Sequence, residues 1–220
     1  QAFRQDLIQA FLGNGVLHDS QQQTLDLLDA GHSVLTIMGT GRGKSLIFQI
    51  HAAELALGKQ TTSLFVYPLR ALVADQAFHL ERTLGSFGIT IGVLTGATSL
   101  PERAQIMTDL ANGELDIILT TPEYLDFHKD ELAQISSIGF VVIDEAHHVG
   151  TSKAGFRPSY TRLGNAIHCL GDPQVLAVTA TADAAVAQEI CDAFKLDEMV
   201  CDRAERANLH VVDQRNSKKR

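Results

Sequence analysis

A glycine-rich octapeptide, Met38-Gly39-Thr40-Gly41-Arg42-Gly43-Lys44-Ser45, lies between an apolar, β-rich run from Ser33 to Ile37 and a helix-forming run. No other stretch constrains the fold as tightly. Glycines there let a loop turn its backbone N–H groups toward an anion, and the next helix adds the positive end of its dipole. Lys44 supplies a full charge, and Ser45 a hydroxyl that can hold Mg²⁺. The pattern predicts that Thr40, Gly41, Arg42, Gly43, Lys44 and Ser45 bind the phosphates of a nucleotide. Only the first glycine of the general G-x-x-x-x-G-K-[ST] pattern is missing, replaced by Met38.

Further along, the apolar run Val141-Val142-Ile143 ends in Asp144-Glu145-Ala146-His147. A carboxylate at a strand end beside bound phosphates can hold Mg²⁺, and a second can activate the attacking water. Asp144 is expected in the first role and Glu145 in the second. Cradle and acids together describe a nucleotide-hydrolysing motor.

Short runs rich in Val, Ile and Leu recur at 33–38, 63–67, 89–94, 117–120, 140–143 and 175–179, and each reads as a buried strand. Helical patterns lie between them. Leu46, Ile50, Ala53 and Leu57 share a face that stops at Gly58, and a second such pattern from Leu69 to Leu84 stops at Gly85. Ser99-Leu100-Pro101-Glu102 is a capping box with proline in the first turn, and Asp183 is placed to cap a helix over 184–194. This alternation predicts an α/β fold: a mostly parallel sheet covered by helices on both faces, with ligands outside the carboxyl ends of its strands.

With 220 residues, 45% of them hydrophobic, the chain is expected to form one domain. A net charge of −8 argues against a basic clamp that holds nucleic acid by bulk charge, so any such contact must be local. The three cysteines, Cys169, Cys191 and Cys201, have neither zinc-ribbon nor disulfide-framework spacing, and a reducing cytoplasm is expected. No apolar run approaches the roughly 20 residues needed to span a bilayer, and no charged-then-apolar leader is evident. The segment from Gln214 to Arg220 is polar and basic.

The motifs, in this order, resemble those of the first RecA-like lobe of superfamily 2 helicases, and from about His18 to Arg206 the chain is similar to the RecQ family of DNA helicases. In that family Met-Pro-Thr-Gly-x-Gly-Lys-Ser forms the phosphate loop, so Met38 is expected and only Gly39 departs. Gln21 stands where the family's adenine-reading glutamine stands, and Asp144 to His147 spell its DEAH motif. The resemblance thus implies ATP with Mg²⁺ (Ser45 and Asp144 its ligands) and catalytic roles for Lys44, Asp144, Glu145 and His147. His18 replaces an arginine usual in the family.

Tyr67-Pro68-Leu69-Arg70, Thr95-Gly96 and Thr120-Thr121-Pro122-Glu123 resemble loops that touch a DNA backbone in the family. They imply nucleic-acid contacts at Arg70, Gly96, Thr121, Pro122 and Glu123. Thr179-Ala180-Thr181 resembles the motif that couples the ATP site to DNA through Thr179 and Thr181. Phe156-Arg157-Pro158-Ser159-Tyr160 is the most RecQ-specific match and implies DNA contacts at Phe156 and Arg157, although the preceding loop lacks the family's aromatic residues.

The implied whole is a first lobe over 1–208, with 209–220 opening a linker to a second RecA-like lobe. It would act on DNA, single-stranded or at a duplex junction, and not on a membrane. An ATP- and DNA-binding switch or anchor that does not unwind, and an RNA-directed motor, remain as alternatives.

Overall fold

The computed structural model describes residues 2–59, 61–135, 138–149 and 158–202. Its elements follow in the order α1 (Ala2–Leu12), α2 (Asp19–Asp29), β1 (Val34–Ile37), α3 (Lys44–Lys59), β2 (Thr62–Val66), α4 (Arg70–Leu84), β3 (Ile91–Leu94), α5 (Leu100–Ala111), β4 (Ile117–Thr120), α6 (Pro122–Ile135), β5 (Ile138–Ile143), α7 (Pro158–Cys169), β6 (Gln174–Thr179), α8 (Ala184–Phe194) and β7 (Glu198–Cys201). The strands form one seven-stranded sheet in the order β3-β4-β2-β5-β6-β1-β7. Every pairing is parallel. The expected α/β fold is therefore present, a RecA-like sheet with helices on both faces.

Alternation along the strands divides the core in two. Val34, Phe65, Leu119, Val142 and Val178 pack with Leu25 of α2, Ile47 and Ile50 of α3 and Val73 of α4 on one face. Leu35, Leu64, Ile118, Val141 and Ala177 pack with Leu110 of α5, Leu125 of α6, Leu163 of α7 and Ile190 of α8 on the other. α7 and α8 approach so closely that a Cβ at Gly164 would fall 2.3 Å from the Ala193 carbonyl oxygen.

The caps follow the expected chemistry. Ser99 Oγ accepts from Glu102 N, the Glu102 carboxylate accepts from Ser99 N at 3.1 Å, and Asp183 Oδ1 accepts from Val186 N at 2.9 Å. Six strands fall where the apolar runs place them. The seventh, β7, has no such run, because at the sheet edge only Val200 of its four residues is buried. No helix among the described residues is long and apolar enough to cross a membrane. The boundary expected at 208 lies outside the described residues.

Helix α1 is fastened by charge as well as by apolar packing. Arg4 bridges Asp29 of α2, at 2.8 and 2.9 Å, and Glu54 of α3. Beside this cluster His51 is 4% exposed; its Nε2 pairs with Gln174 Oε1 at 3.2 Å, while its Nδ1 stands 3.7 Å from Asp29 and makes no hydrogen bond. Burial lowers the His51 pKa below the ordinary 6.5, against the upward pull of Gln174, Asp29 and Glu54; Arg4 adds to the lowering. The folded state thus resists a proton that the unfolded chain accepts near 6.5, so the stability His51 contributes is present above that pH and lost below it. As pH falls from 7.5 to 5, unfolding free energy measured by urea titration should decline in the wild type relative to His51→Gln, so the two pH slopes should differ. An unchanged slope in the variant would remove His51 as its source.

Candidate functional site

Parallel pairing aligns the carboxyl ends of the strands along one edge of the sheet. Ile37 of β1 lies opposite Thr179 of β6, Ile143 of β5 opposite Ala177, and Val66 of β2 opposite both Ile143 and Thr120. The loops that follow are the ones singled out by sequence.

After β1 the chain is held down by Met38 N donating to Thr179 O at 3.0 Å, then turns through Gly41 (φ 77°) and Gly43 (φ 74°) into α3. Both angles are left-handed, where a side chain is strained. Gln21 braces the turn from beneath. Its Nε2 donates to the carbonyls of Arg42 (3.2 Å) and Gly43 (3.0 Å), and its Oε1 accepts from His18 N at 2.8 Å. A Cβ at Gly43 would come within 2.7 Å of that amide nitrogen. Lys44 Nζ donates to Met38 O at 3.1 Å, and Arg42 Nε pairs with Asp202 at 2.8 Å.

Asp144 and Glu145 follow β5. Asp144 N donates to Val66 O, its carbonyl accepts from the buried Tyr160 hydroxyl of α7 at 3.0 Å, and its Oδ1 accepts from Glu145 N at 2.9 Å. Glu145 occupies the left-handed region at φ 50° despite its side chain, a strained turn of the kind that gathers at functional sites. Burial, and then the neighbouring Glu145 charge, push the Asp144 carboxyl up to about 6, against the pull of the Glu145 backbone N–H and then of Lys44.

His147 Nδ1 lies 3.2 Å from Glu145 and 3.0 Å from Thr179 Oγ1, and Thr179 Oγ1 donates to Thr181 O at 3.2 Å. These bonds agree with one another when Nδ1 carries the proton. They join the acidic loop to the end of β6, so Glu145, His147, Thr179 and Thr181 form one chain.

A cleft of about 410 Å³ is lined by Gly41, Gly43, Lys44, Ser45, Asp144 and Glu145, and also by Phe48, Tyr67 and Gln76. It therefore brings together the phosphate-loop cation, a hydroxyl and two carboxylates. Ser45 and Asp144 supply the hard oxygen donors that Mg²⁺ prefers, and Lys44 with the glycine-loop backbone suits a polyphosphate, so the residues fit a magnesium nucleotide. Thr40, Arg42 and Gln21 do not line the cleft: Arg42 is paired with Asp202, and Gln21 is bonded to the loop's own carbonyls. Tyr67, Gln76 and Phe48 were missed. Tyr67 stands at a recognisable strand end, but its side chain serves this cleft rather than the neighbouring groove.

That groove, about 610 Å³, follows β2, β3 and β4 and includes Leu69, Arg70, Gly96, Thr121, Glu123 and Phe127 in its wall. Arg70 is exposed at the start of α4, Pro122 opens α6, and Glu123 accepts from Ser159 Oγ of α7 at 2.9 Å. Arg103 of α5 donates to the Tyr124 hydroxyl at 2.9 Å, which fixes the aromatic floor. Phe127 is 84% exposed and was also missed; its only sequence signal is an aromatic residue at an outward position of α6. Arg70, Gly96, Thr121 and Glu123 thus gather in one place. Phe156 and Arg157 lie outside the described residues.

A family model described as "DEAD/DEAH box helicase" matches residues 18–190. ATP-dependent DNA helicase RecQ of Pasteurella multocida (strain Pm70) is 33% identical over 189 residues, covering 84% of this chain and 28% of the relative. The RecQ helicase of Haemophilus influenzae is 31% identical over 185 residues, covering 84% of this chain and 29% of the relative. The chain thus spans less than a third of these relatives. Among solved structures, helicase MrfA bound to DNA superposes with a TM-score of 0.70 at 20% identity, covering 89% of this chain and 29% of that one.

The buried acid generates a prediction about the free protein. A raised carboxyl pKa means that ionising Asp144 opposes folding, a penalty absent below 3.8 and complete above about 6. At about 1.4 kcal/mol per unit the penalty is on the order of 3 kcal/mol at pH 8. Asp144→Asn should raise the melting temperature by several degrees in EDTA at pH 8 and by almost nothing at pH 4. Equal shifts at both pH values would contradict the burial argument.

Proposed function

Because this chain belongs to the DEAD/DEAH box helicases, we propose that it is the first RecA-like lobe of an ATP-dependent DNA helicase, holding ATP in the cleft of Lys44 and Asp144 and a DNA backbone in the groove of Arg70. The observation that carries this reading is the convergence of Gly43, Lys44, Ser45, Asp144 and Glu145 on one cleft. Its similarity to RecQ helicases favours DNA as the nucleic acid.

In this reading the glycine-loop N–H groups and the start of α3 hold the phosphate oxygens, and Lys44 leaves the Met38 carbonyl to neutralise them. Ser45 and Asp144 hold the magnesium ion, which when bound offsets charge on the transferring phosphoryl group. Glu145 orients and deprotonates the attacking water. His147 bridges Glu145 to Thr179, so a change at the acid reaches the end of β6. Gln21 acts by bracing the loop, in addition to any contact it makes with adenine.

The second groove takes the strand by backbone contacts: Arg70 supplies charge, and the first turn of α4 offers backbone N–H groups. A second lobe in the intact protein would close over the nucleotide and bring an arginine, a contribution of about 10³ to 10⁵ in rate. The 220-residue chain alone should bind ATP weakly and turn over very little.

In the full-length protein, Lys44→Ala and Glu145→Gln should each reduce DNA-stimulated ATP hydrolysis at least about 100-fold. Undiminished turnover in either would reject the assigned role. An ATP-dependent strand-displacement assay on a tailed duplex separates a motor from a switch or anchor that binds both ligands without unwinding, since only the motor releases the displaced strand.

A further inference from the structure

Tyr67 is the best-buried polar group in the cleft and the one left unanswered. It is 1% exposed, and its hydroxyl is closed to solvent and without a hydrogen-bond partner. Four buried side-chain polar atoms among the described residues share that condition, Ser20 Oγ, His51 Nδ1, Ser63 Oγ and the Tyr67 hydroxyl, and only Tyr67 belongs to the wall of the cleft. A phenylalanine would fill the same space without stranding a donor, so the hydroxyl makes the free protein less stable than it need be. Tyr67 shares the wall of the cleft with Asp144, and the phenol lies close enough to feel that carboxylate's charge.

Resting on the nucleotide reading above, we infer that Tyr67 is a ligand-sensing donor: its hydroxyl donates a hydrogen bond to an anionic oxygen of the magnesium–phosphate group once the cleft is filled, and has no partner otherwise. A phenol is protonated at neutral pH and can donate to phosphate without any change of charge. Burial makes that bond stronger than a solvent-exposed one, because water does not compete for either partner. Tyr67 is immediately followed by Pro68, Leu69 and Arg70, which line the nucleic-acid groove, so the residue that answers the nucleotide opens the loop that would meet the strand.

The experiment is Tyr67→Phe in the full-length protein, with two readouts of opposite expected sign. Without ligand, the melting temperature should equal or exceed that of the wild type. With magnesium and the non-hydrolysable ATP analogue AMPPNP, calorimetry should show affinity weakened by about 10-fold, the range for a hydrogen bond to a charged acceptor. Adenosine, which carries no phosphate, should bind both proteins equally. Equal AMPPNP affinity, a lower melting temperature in the free variant, or a matching loss for adenosine would each overturn the inference. Failure of the wild type itself to bind AMPPNP would instead strike the nucleotide reading, and this inference with it.

Discussion

The functional geometry depends on the register of β5 between β2 and β6. A parallel sheet has no alternative way of presenting acids and phosphate loop on one edge: Ile143 must lie level with Val66 and Ala177 for Asp144 to emerge beside Tyr67 and one strand away from Thr179. Neighbouring strands are about 4.8 Å apart, so β1 lies two spacings, about 10 Å, from β5. The phosphate loop crosses β6 to close that distance, and the tether from Met38 N to Thr179 O fixes where it starts. A shift of one residue in β5 would turn Val141 and Ile143 out of one core and carry Asp144 to the other face. The apolar patterning that fixes the fold therefore also fixes the site.

Stability is concentrated away from this edge. Glu145 in a left-handed turn, Asp144 held in a half-buried carboxyl pocket and a Tyr67 hydroxyl without a partner lie within one cleft, and each opposes folding of the free chain. Elsewhere much of the structure is locally satisfied: the Ser99 capping box is closed, most strand side chains are buried and apolar, and the Arg4 cluster satisfies two carboxylates with one guanidinium. Three such features within one cleft make it the place where local disagreement is most concentrated.

This division also explains what the sequence could and could not disclose. The loop at Lys44 and the acids at Asp144 were legible because their chemistry depends on local residue types placed at the ends of apolar strands. Strand β7 was not, because an edge strand with Val200 alone buried has no periodic signature. Helix α1 was not, because its anchoring depends on Arg4 meeting Asp29 and Glu54, which are distant in sequence and join only after α2 and α3 pack. Gln21 was visible as a glutamine at a telling position, yet its bonds to Arg42 and Gly43 carbonyls depend on the loop's three-dimensional turn. Tyr67 belongs to the same class: its strand end was evident, but the direction of its side chain follows from the alternation within β2.

That alternation gives β2 a particular position. It is the third of the seven strands, with the β4 and β3 loops on one side and the β5 and β6 loops on the other. Tyr67 at its end faces the cleft of Lys44 and Asp144, and the residues that follow it face the groove of Thr121 and Gly96. The two pockets therefore share a wall only a few residues thick, built from one backbone segment that is held by Tyr67 N donating to Thr120 O and by Val66 O accepting from Asp144 N. The strand order thus places the two pockets on either side of one short backbone segment.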